Sequence, residues 1–128
     1  YRFEHFFDNT GRLTHVMDSE GGRWDYAVSM DAGGNKLTSI TTAEGNIFGY
    51  LDHMDSTGTF TSIISGPAET ETVFVRSPDG LFAQKKLPCG MDLSFTYDMD
   101  PEYRYRFLKT FTQTTPAGLE KIHFRNKI

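Results

Sequence analysis

A unit of 22–24 residues recurs along this chain and constrains its fold more than any other feature. Four large apolar anchors lie 24, 23 and 22 residues apart, and they are Leu13, Leu37, Phe60 and Phe82. An aromatic residue follows the anchor by 13 positions in three units, as Tyr26, Tyr50 and Phe95. A glycine follows it by 8 positions in the same units, as Gly21, Gly45 and Gly90. Landmarks that repeat in phase indicate one structural element copied along the chain.

A turn signal precedes each anchor, with aspartate near its start and glycine at its end. Aspartate offers a side-chain acceptor to the turn backbone, and glycine adopts positive φ without strain. The signal pairs Asp8 with Gly11, Asp31 with Gly34, Asp55 with Gly58, and Asp79 with Gly80. A fifth, degenerate unit has its second turn at Gly118. Two turns and two short strands in each unit predict consecutive β-hairpins.

Apolar and polar residues alternate between the turns, as they do around Trp24, Tyr26 and Val28, which favours strands. The predicted strands cover residues 2–7, 12–18, 23–30, 36–42, 47–53, 59–65, 70–76, 81–87, 92–97, 105–114 and 119–126. Neighbouring hairpins pair in sequence order. We therefore expect an all-β fold, in which about five antiparallel hairpin repeats form a long curved or spiral sheet. Residues 1–128 are interpreted as a single hairpin array.

Two segments leave alternatives open. Leu37 and Ile40 are three positions apart, so either a bulge lies between them or both faces of the sheet are partly buried. Residues 101–111 carry aromatic side chains at helical spacing, at Tyr103, Phe107 and Phe111. The composition favours the competing interpretation, a loop that enters a strand.

Composition and charge exclude several classes of protein. Aromatic residues make up 14% of the chain, which supplies material for packing and argues against general disorder. No apolar stretch approaches the roughly 20 residues of a spanning helix, so no membrane span is predicted. The net charge of −4 lacks the basic footprint of a nucleic-acid-binding protein. Cys89 is the single cysteine, so the chain forms no internal disulfide.

At the repeated units the sequence resembles the YD-repeat family, also called Rhs repeats. Its members carry units of the form Tyr-Asp-x-x-Gly-Arg-Leu-Thr-x-Val-x-Asp-x-x-Gly. Residues 8–21 match this unit nearly position for position, and residues 31–45 and 55–63 match it well. Tyr97 and Asp98 supply a literal Tyr-Asp pair, whereas Tyr26 and Tyr50 are not followed by aspartate.

The resemblance implies a wall segment of a large hollow shell, built from repeats that wind into a spiral sheet. Bacterial shells of this family enclose a toxic polypeptide, and the animal relatives, the teneurins, are cell-surface adhesion proteins. The implied role is structural and non-catalytic, in a secreted or cell-surface protein. The implied partners are the remaining repeats of a larger parent chain and an encapsulated polypeptide. Some bacterial members cleave themselves near an Asp-Pro-x-Gly-Leu stretch, but residues 116–119 lack the preceding aspartate.

We expect the chain, which begins at Tyr1 and not at methionine, to be a segment of such a larger protein. A segment cut from a sheet has unpaired strands at its two ends. Unpaired strand edges are templates for pairing with another chain. We therefore expect self-association through the edge strands.

Residues that carry chemistry form no convincing constellation in the sequence. The four histidines are scattered and lack the spacing of metal ligands. Asp98, Asp100 and Glu102 resemble the start of a calcium-binding loop, but Pro101 interrupts the pattern and the required glycine is missing. An acidic connector is the favoured interpretation, and Cys89 is interpreted as a turn residue without an activating base. The sequence therefore predicts no enzyme, no cofactor and no metal site.

Aromatic residues are the remaining candidates for function. Packing between neighbouring strands is the favoured interpretation. The alternative is an adhesion module that binds a glycan or a protein through exposed rings, and its candidates are Trp24, Tyr103 and Tyr105. Residues 103–106 alternate tyrosine and arginine, which we interpret as alternate exposure on an edge strand and not as a nucleic-acid stacking patch.

Overall fold

The computed structural model describes residues 2–125, which form eleven β-strands and one short 3-10 turn at Pro67–Glu69. The strands are β1 (Phe3–Phe7), β2 (Leu13–Asp18), β3 (Arg23–Met30), β4 (Lys36–Thr41), β5 (Ile47–Met54), β6 (Phe60–Ser65), β7 (Glu71–Arg76), β8 (Phe82–Lys86), β9 (Asp92–Met99), β10 (Arg106–Thr114) and β11 (Glu120–Phe124). They lie in one open antiparallel sheet in the order β1 to β11. The predicted all-β fold of consecutive hairpins is confirmed.

Each predicted strand corresponds to one observed strand, with bounds that differ by at most two residues. The largest differences are at β9, which continues to Met99, and at β11, which ends at Phe124. Residue 126, the predicted end of the last strand, lies outside the described residues. Residues 101–103 form a turn and β10 begins at Arg106, so the loop interpretation of residues 101–111 is confirmed and the helix is wrong.

The chain divides into two compact units, which are described separately. The first comprises Tyr1–Asp52 and Ile64–Thr70, and the second comprises His53–Ile63 and Glu71–Ile128. In the first unit, Tyr26 lies opposite Ile40, which lies opposite Phe48. Cross-strand partners share a face of an antiparallel sheet, so these side chains form one row.

Leu37 lies on the opposite face of the first unit, where it faces Leu51. The registers of β4 with β3 and with β5 are continuous, so no bulge separates Leu37 from Ile40. Leu37 is exposed and Ile40 is half-buried. The three-residue spacing therefore distributes apolar side chains over both faces of the sheet.

In the second unit, Phe95 lies opposite Ala83 on one side and opposite Phe111 on the other. Phe111 lies opposite His123, so this row crosses β8, β9, β10 and β11. A register shift at Lys109 inserts one extra residue into β10. Such a bulge redirects the strand and the side chains beside it.

Apolar burial is slight for a chain of this composition. Among the described apolar residues, Val16 and Ala83 alone are buried, with 8% and 4% of their surface exposed. The shielding that the described side chains have therefore comes largely from cross-strand neighbours on the same face of the sheet. No helix within residues 2–125 has the length and apolar character needed to cross a membrane.

Candidate functional site

Four of the aspartate turns share one hydrogen-bonding pattern, shown here at Asp55. The backbone N–H of Gly58 donates to the Asp55 carbonyl at 3.0 Å, and the N–H of Asp55 donates to the carbonyl of Thr59 at 3.1 Å. One carboxylate oxygen of Asp55 accepts the backbone N–H groups of Thr57 and Thr59 at 2.8 and 3.0 Å. The side chain thus satisfies turn donors that no strand partner reaches.

The same pattern recurs at three other aspartates, which are Asp8, Asp18 and Asp31. The turn at residues 42–46 uses the Thr42 hydroxyl in place of a carboxylate, and the turn at residues 115–119 uses Thr115. All eight turn glycines of the repeat have φ between 70° and 88°: Gly11, Gly21, Gly34, Gly45, Gly58, Gly80, Gly90 and Gly118.

Hydrogen bonds lower the pKa values of three turn aspartates from the ordinary aspartate value of 3.8, and these are Asp8, Asp55 and Asp79. At Asp55 the hydroxyl of Thr57 is the largest cause, followed among the lowering causes by the backbone N–H of Thr59. At Asp8 the hydroxyl of Thr10 has the same effect, and at Asp79 the hydroxyl of Ser77 does. The turns therefore favour the ionised form of aspartate.

In two repeats the anchor and the aromatic landmark lie on opposite faces of the sheet. Phe82 faces Thr96, whereas Phe95 faces Ala83 on the other face. In the first unit, Leu37 and Tyr50 likewise occupy opposite faces, because Tyr50 pairs with Thr38. These two repeats thus each contribute one aromatic residue to one face and one apolar anchor to the other.

One face of the second unit combines aromatic rings with cations, and we call it the basic aromatic face. Its rings are Phe74, Phe95, Tyr97 and Phe111. Its cations are Arg76, Lys85, Arg106 and Lys121. The guanidinium of Arg106 lies 4.4 Å from the centre of the Tyr97 ring, and that of Arg76 lies 5.4 Å from the centre of the Phe60 ring. These distances are typical of cation–π contacts.

The opposite face carries the acidic residues of the same strands. Strand alternation and register place four carboxylates there, and they are Glu71, Asp92, Asp98 and Glu120. Asp98 pairs with Lys109 of the bulge at 2.9 Å, and this contact is the largest cause that lowers the pKa of Asp98. We did not predict this separation of charge from the sequence. The alternation of side chains within each strand already assigns its charges to two faces. Only the register between strands shows which charges of different strands share a face.

A shallow depression of about 100 Å³ lies at the end of the basic aromatic face, between β10 and β11. Leu108, Phe111, His123 and Arg125 contribute to its lining. The Phe111 and His123 rings stack within it, with their centres 5.8 Å apart. The depression is therefore an apolar hollow bordered by cationic and aromatic groups.

The predicted binding aromatics occupy two different settings. Trp24 is half-buried opposite Val16, and its ring lies 6.4 Å from the ring of Phe3. Tyr103 and Tyr105 share the turn before β10 and are 67% and 53% exposed. Because β10 pairs with strands on both sides, the edge-strand interpretation of residues 103–106 is wrong.

The acidic connector is organised around Asp100, which is 1% exposed. Its carboxylate accepts the backbone N–H groups of Glu102 and Tyr103, each at 2.9 Å. These bonds hold the turn that presents the two tyrosines, and they direct the carboxylate to the backbone.

Within residues 2–125 no three His, Cys, Asp or Glu side chains form a group that could hold a metal ion. Cys89 lies exposed in the turn between β8 and β9.

Neither the family models nor the curated proteins contain a match to this chain.

Proposed function

We propose that this chain is a non-catalytic wall segment of a YD-repeat-like sheet, in a larger protein that encloses or presents a toxin polypeptide. One observation carries the proposal: each repeat of 22–24 residues corresponds to two strands and two turns, and eight of these turns contain a glycine with φ between 70° and 88°. A structure made of similar modules in sequence order is suited to building extended surfaces.

The near absence of buried side chains supports a role within a larger assembly. Antiparallel sheets commonly place one face on a core and leave the other face in water. Here half-buried aromatic residues line a sheet in which Val16 and Ala83 are the buried apolar residues of the described chain. In a closed wall, the inner face of the sheet would contact enclosed material, and further strands would continue the sheet.

The outer edge of β11 is suited to receive such a strand. The N–H of Arg125 donates to the Lys109 carbonyl, and the N–H of Thr115 donates to the Leu119 carbonyl, so residues 119 and 125 point their backbone toward β10. Alternation then directs the backbone groups of Ile122 and Phe124 away from β10. A following repeat would satisfy these groups.

The reading frame on either side of residues 1–128 tests this proposal. A wall segment predicts further units with Asp-x-x-Gly turns and apolar anchors, in phase at 22–24 residues. It also predicts a secretion or surface-export signal in the parent chain. A short frame that ends at these residues would overturn the proposal.

An adhesion module is the second candidate, and it is favoured by the exposed pair Tyr103 and Tyr105 on the turn held by Asp100. Tyrosine combines an apolar ring with a polar hydroxyl, which suits glycan and protein contacts. A glycan array compares the native chain with the double variant Tyr103→Ala, Tyr105→Ala. Hits that are lost in the variant would support adhesion, whereas the absence of hits would count against it.

A further inference from the structure

The charges of the second unit are distributed unevenly between its two faces. In strands β7 to β11 the basic aromatic face carries four cations and no carboxylate, although the whole chain has a net charge of −4. The described carboxylates form no ion pair with Arg76, Lys85, Arg106 or Lys121. No described carboxylate on this face therefore offsets its positive charge.

The surroundings of the cations indicate what kind of partner fits. Arg106 also donates to the backbone carbonyl of Gly80 at 2.8 Å, which fixes its guanidinium over Tyr97. Lys85 lies opposite Phe74 and Leu93, so its ammonium projects from an apolar environment. Lys85 is half-buried, and a partly desolvated ammonium attracts anions more strongly than a cation surrounded by water.

We infer that the basic aromatic face binds an acidic polypeptide segment that alternates carboxylates with apolar side chains. The inference rests on the proposed function, since it assigns this face to the enclosed polypeptide. Complementary charge steers such a segment to the face and fixes its register, and apolar contacts with the rings supply affinity.

A polypeptide fits better than a glycan or a single-stranded nucleic acid. Sugars and bases bind by stacking on open ring faces. Here Arg106 covers a face of Tyr97, and Phe111 stacks on both Phe95 and His123. Ring edges and alkyl groups remain, and these suit aliphatic and aromatic side chains. The depression lined by Leu108, Phe111 and His123 accepts one such side chain.

Fluorescence anisotropy with the chain of residues 1–128 tests the inference. The probe is a labelled peptide of about 16 residues that alternates glutamate with phenylalanine and serine. Its controls are the same peptide with lysine for glutamate, a sulfated polysaccharide and an oligothymidylate. We expect saturable binding of the acidic peptide that weakens as salt is added, because the contact is partly electrostatic.

Lys85 and Lys86 provide a matched pair of variants, because they are adjacent in β8 and lie on opposite faces. Both Lys85→Gln and Lys86→Gln lower the net charge by one unit. We expect Lys85→Gln to weaken peptide binding by about threefold and Lys86→Gln to leave it unchanged. Circular dichroism spectra of both variants check that each keeps its β-sheet.

Three results would overturn the inference: no peptide binding, equal effects of the two variants, or tighter binding of the polysaccharide or oligothymidylate than of the acidic peptide. The reading frame distinguishes this failure from failure of the proposed function. If in-phase repeats flank these residues but the chain binds no acidic peptide, the wall proposal stands and the inference about the basic aromatic face fails. If the chain binds the peptide but has a short reading frame of its own, the wall proposal fails.

Discussion

The rings of Phe95 and Phe111 stack across β9 and β10, with centres 5.1 Å apart and planes inclined by 27°. Phe111 continues the stack to His123 on β11. Both phenylalanines are half-buried by contacts within the sheet. Such rows pack side chains of neighbouring strands together in a unit where few side chains are fully buried.

Replacing Phe111 tests the strength of this row. We expect Phe111→Leu to lower the free energy of unfolding by about 1 kcal/mol, because leucine keeps apolar contact but loses both ring stacks. Urea unfolding of the native chain, the two single Phe→Leu variants at positions 95 and 111, and the double variant measures the coupling. A coupling energy near zero would show that the stack contributes nothing beyond burial.

Replacing the turn aspartate tests its side-chain acceptor. Asp55→Ala removes the acceptor for the N–H groups of Thr57 and Thr59. We expect the melting temperature to fall by roughly 3–5 °C. The control is Asp55→Asn, which keeps an oxygen at the same position, and its melting temperature should lie between those of the native chain and the alanine variant. Equal melting temperatures for native and alanine forms would contradict the assigned role.

Acid should destabilise the sheet through the same turns. The pKa values of Asp8, Asp55 and Asp79 are lowered from 3.8 in the folded chain. Their contribution to stability is therefore present above pH 3.8 and is lost as pH falls through the lowered values. We expect a nearly constant melting temperature at mildly acidic pH and a decline below the ordinary aspartate pKa. The melting temperature of the Asp55→Asn variant should fall less steeply with pH than that of the native chain. A steeper fall in the variant would refute the assignment of the acid sensitivity to the turn carboxylates.

Two turn glycines separate backbone strain from steric contact. Gly90 and Gly118 have similar φ values, 81° and 79°. A Cβ at Gly90 would lie 3.1 Å from Cγ of Pro116 in the turn between β10 and β11, whereas a Cβ at Gly118 meets nothing within 4 Å. We expect Gly118→Ala to cost about 1 kcal/mol and Gly90→Ala about 2 kcal/mol. Urea unfolding measures the loss of unfolding free energy in each variant. Equal losses would show that the contact with Pro116 adds no cost at Gly90.

The edge of β11 yields a prediction about association. The backbone N–H of Ile122 points away from β10, so Ile122→Pro removes a donor from the outer edge and leaves the pairing with β10 intact. We expect the native chain to self-associate as its concentration rises and Ile122→Pro to associate more weakly, as measured by sedimentation, because β1 is the other end strand of the sheet and is unchanged in the variant. His123→Pro, whose N–H points toward β10, should instead lower the melting temperature. A native chain that stays monomeric at high concentration would contradict edge pairing.

Much of the fold was predictable because its determinants are local. Asp55 and Gly58 specify a tight turn within a few residues, and the alternation of Trp24, Tyr26 and Val28 specifies a strand. The helical spacing of Tyr103 and Phe107 was misleading, because Asp100 closes a turn on backbone N–H groups that a helix would use differently. Short side-chain caps outweigh an i, i+4 pattern of aromatic residues.

The basic aromatic face was not predictable, because it depends on register. Lys85 and Asp92 are close in sequence and on opposite faces, and the bulge at Lys109 reverses the alternation within β10. A shift of one residue would have exchanged the faces of every following side chain. The charge separation therefore follows from the positions of the turns and the bulge together.

Each strand from β2 to β10 pairs with the strands immediately before and after it in the chain, and the end strands β1 and β11 pair with β2 and β10. Contacts between sequence neighbours give the fold a low contact order, so hairpins can form without closing long loops. During synthesis, each completed hairpin can dock on the one made before it. The strand formed last is then the edge strand with which the next hairpin pairs. Whole hairpins can then be gained or lost between related proteins without rethreading the chain.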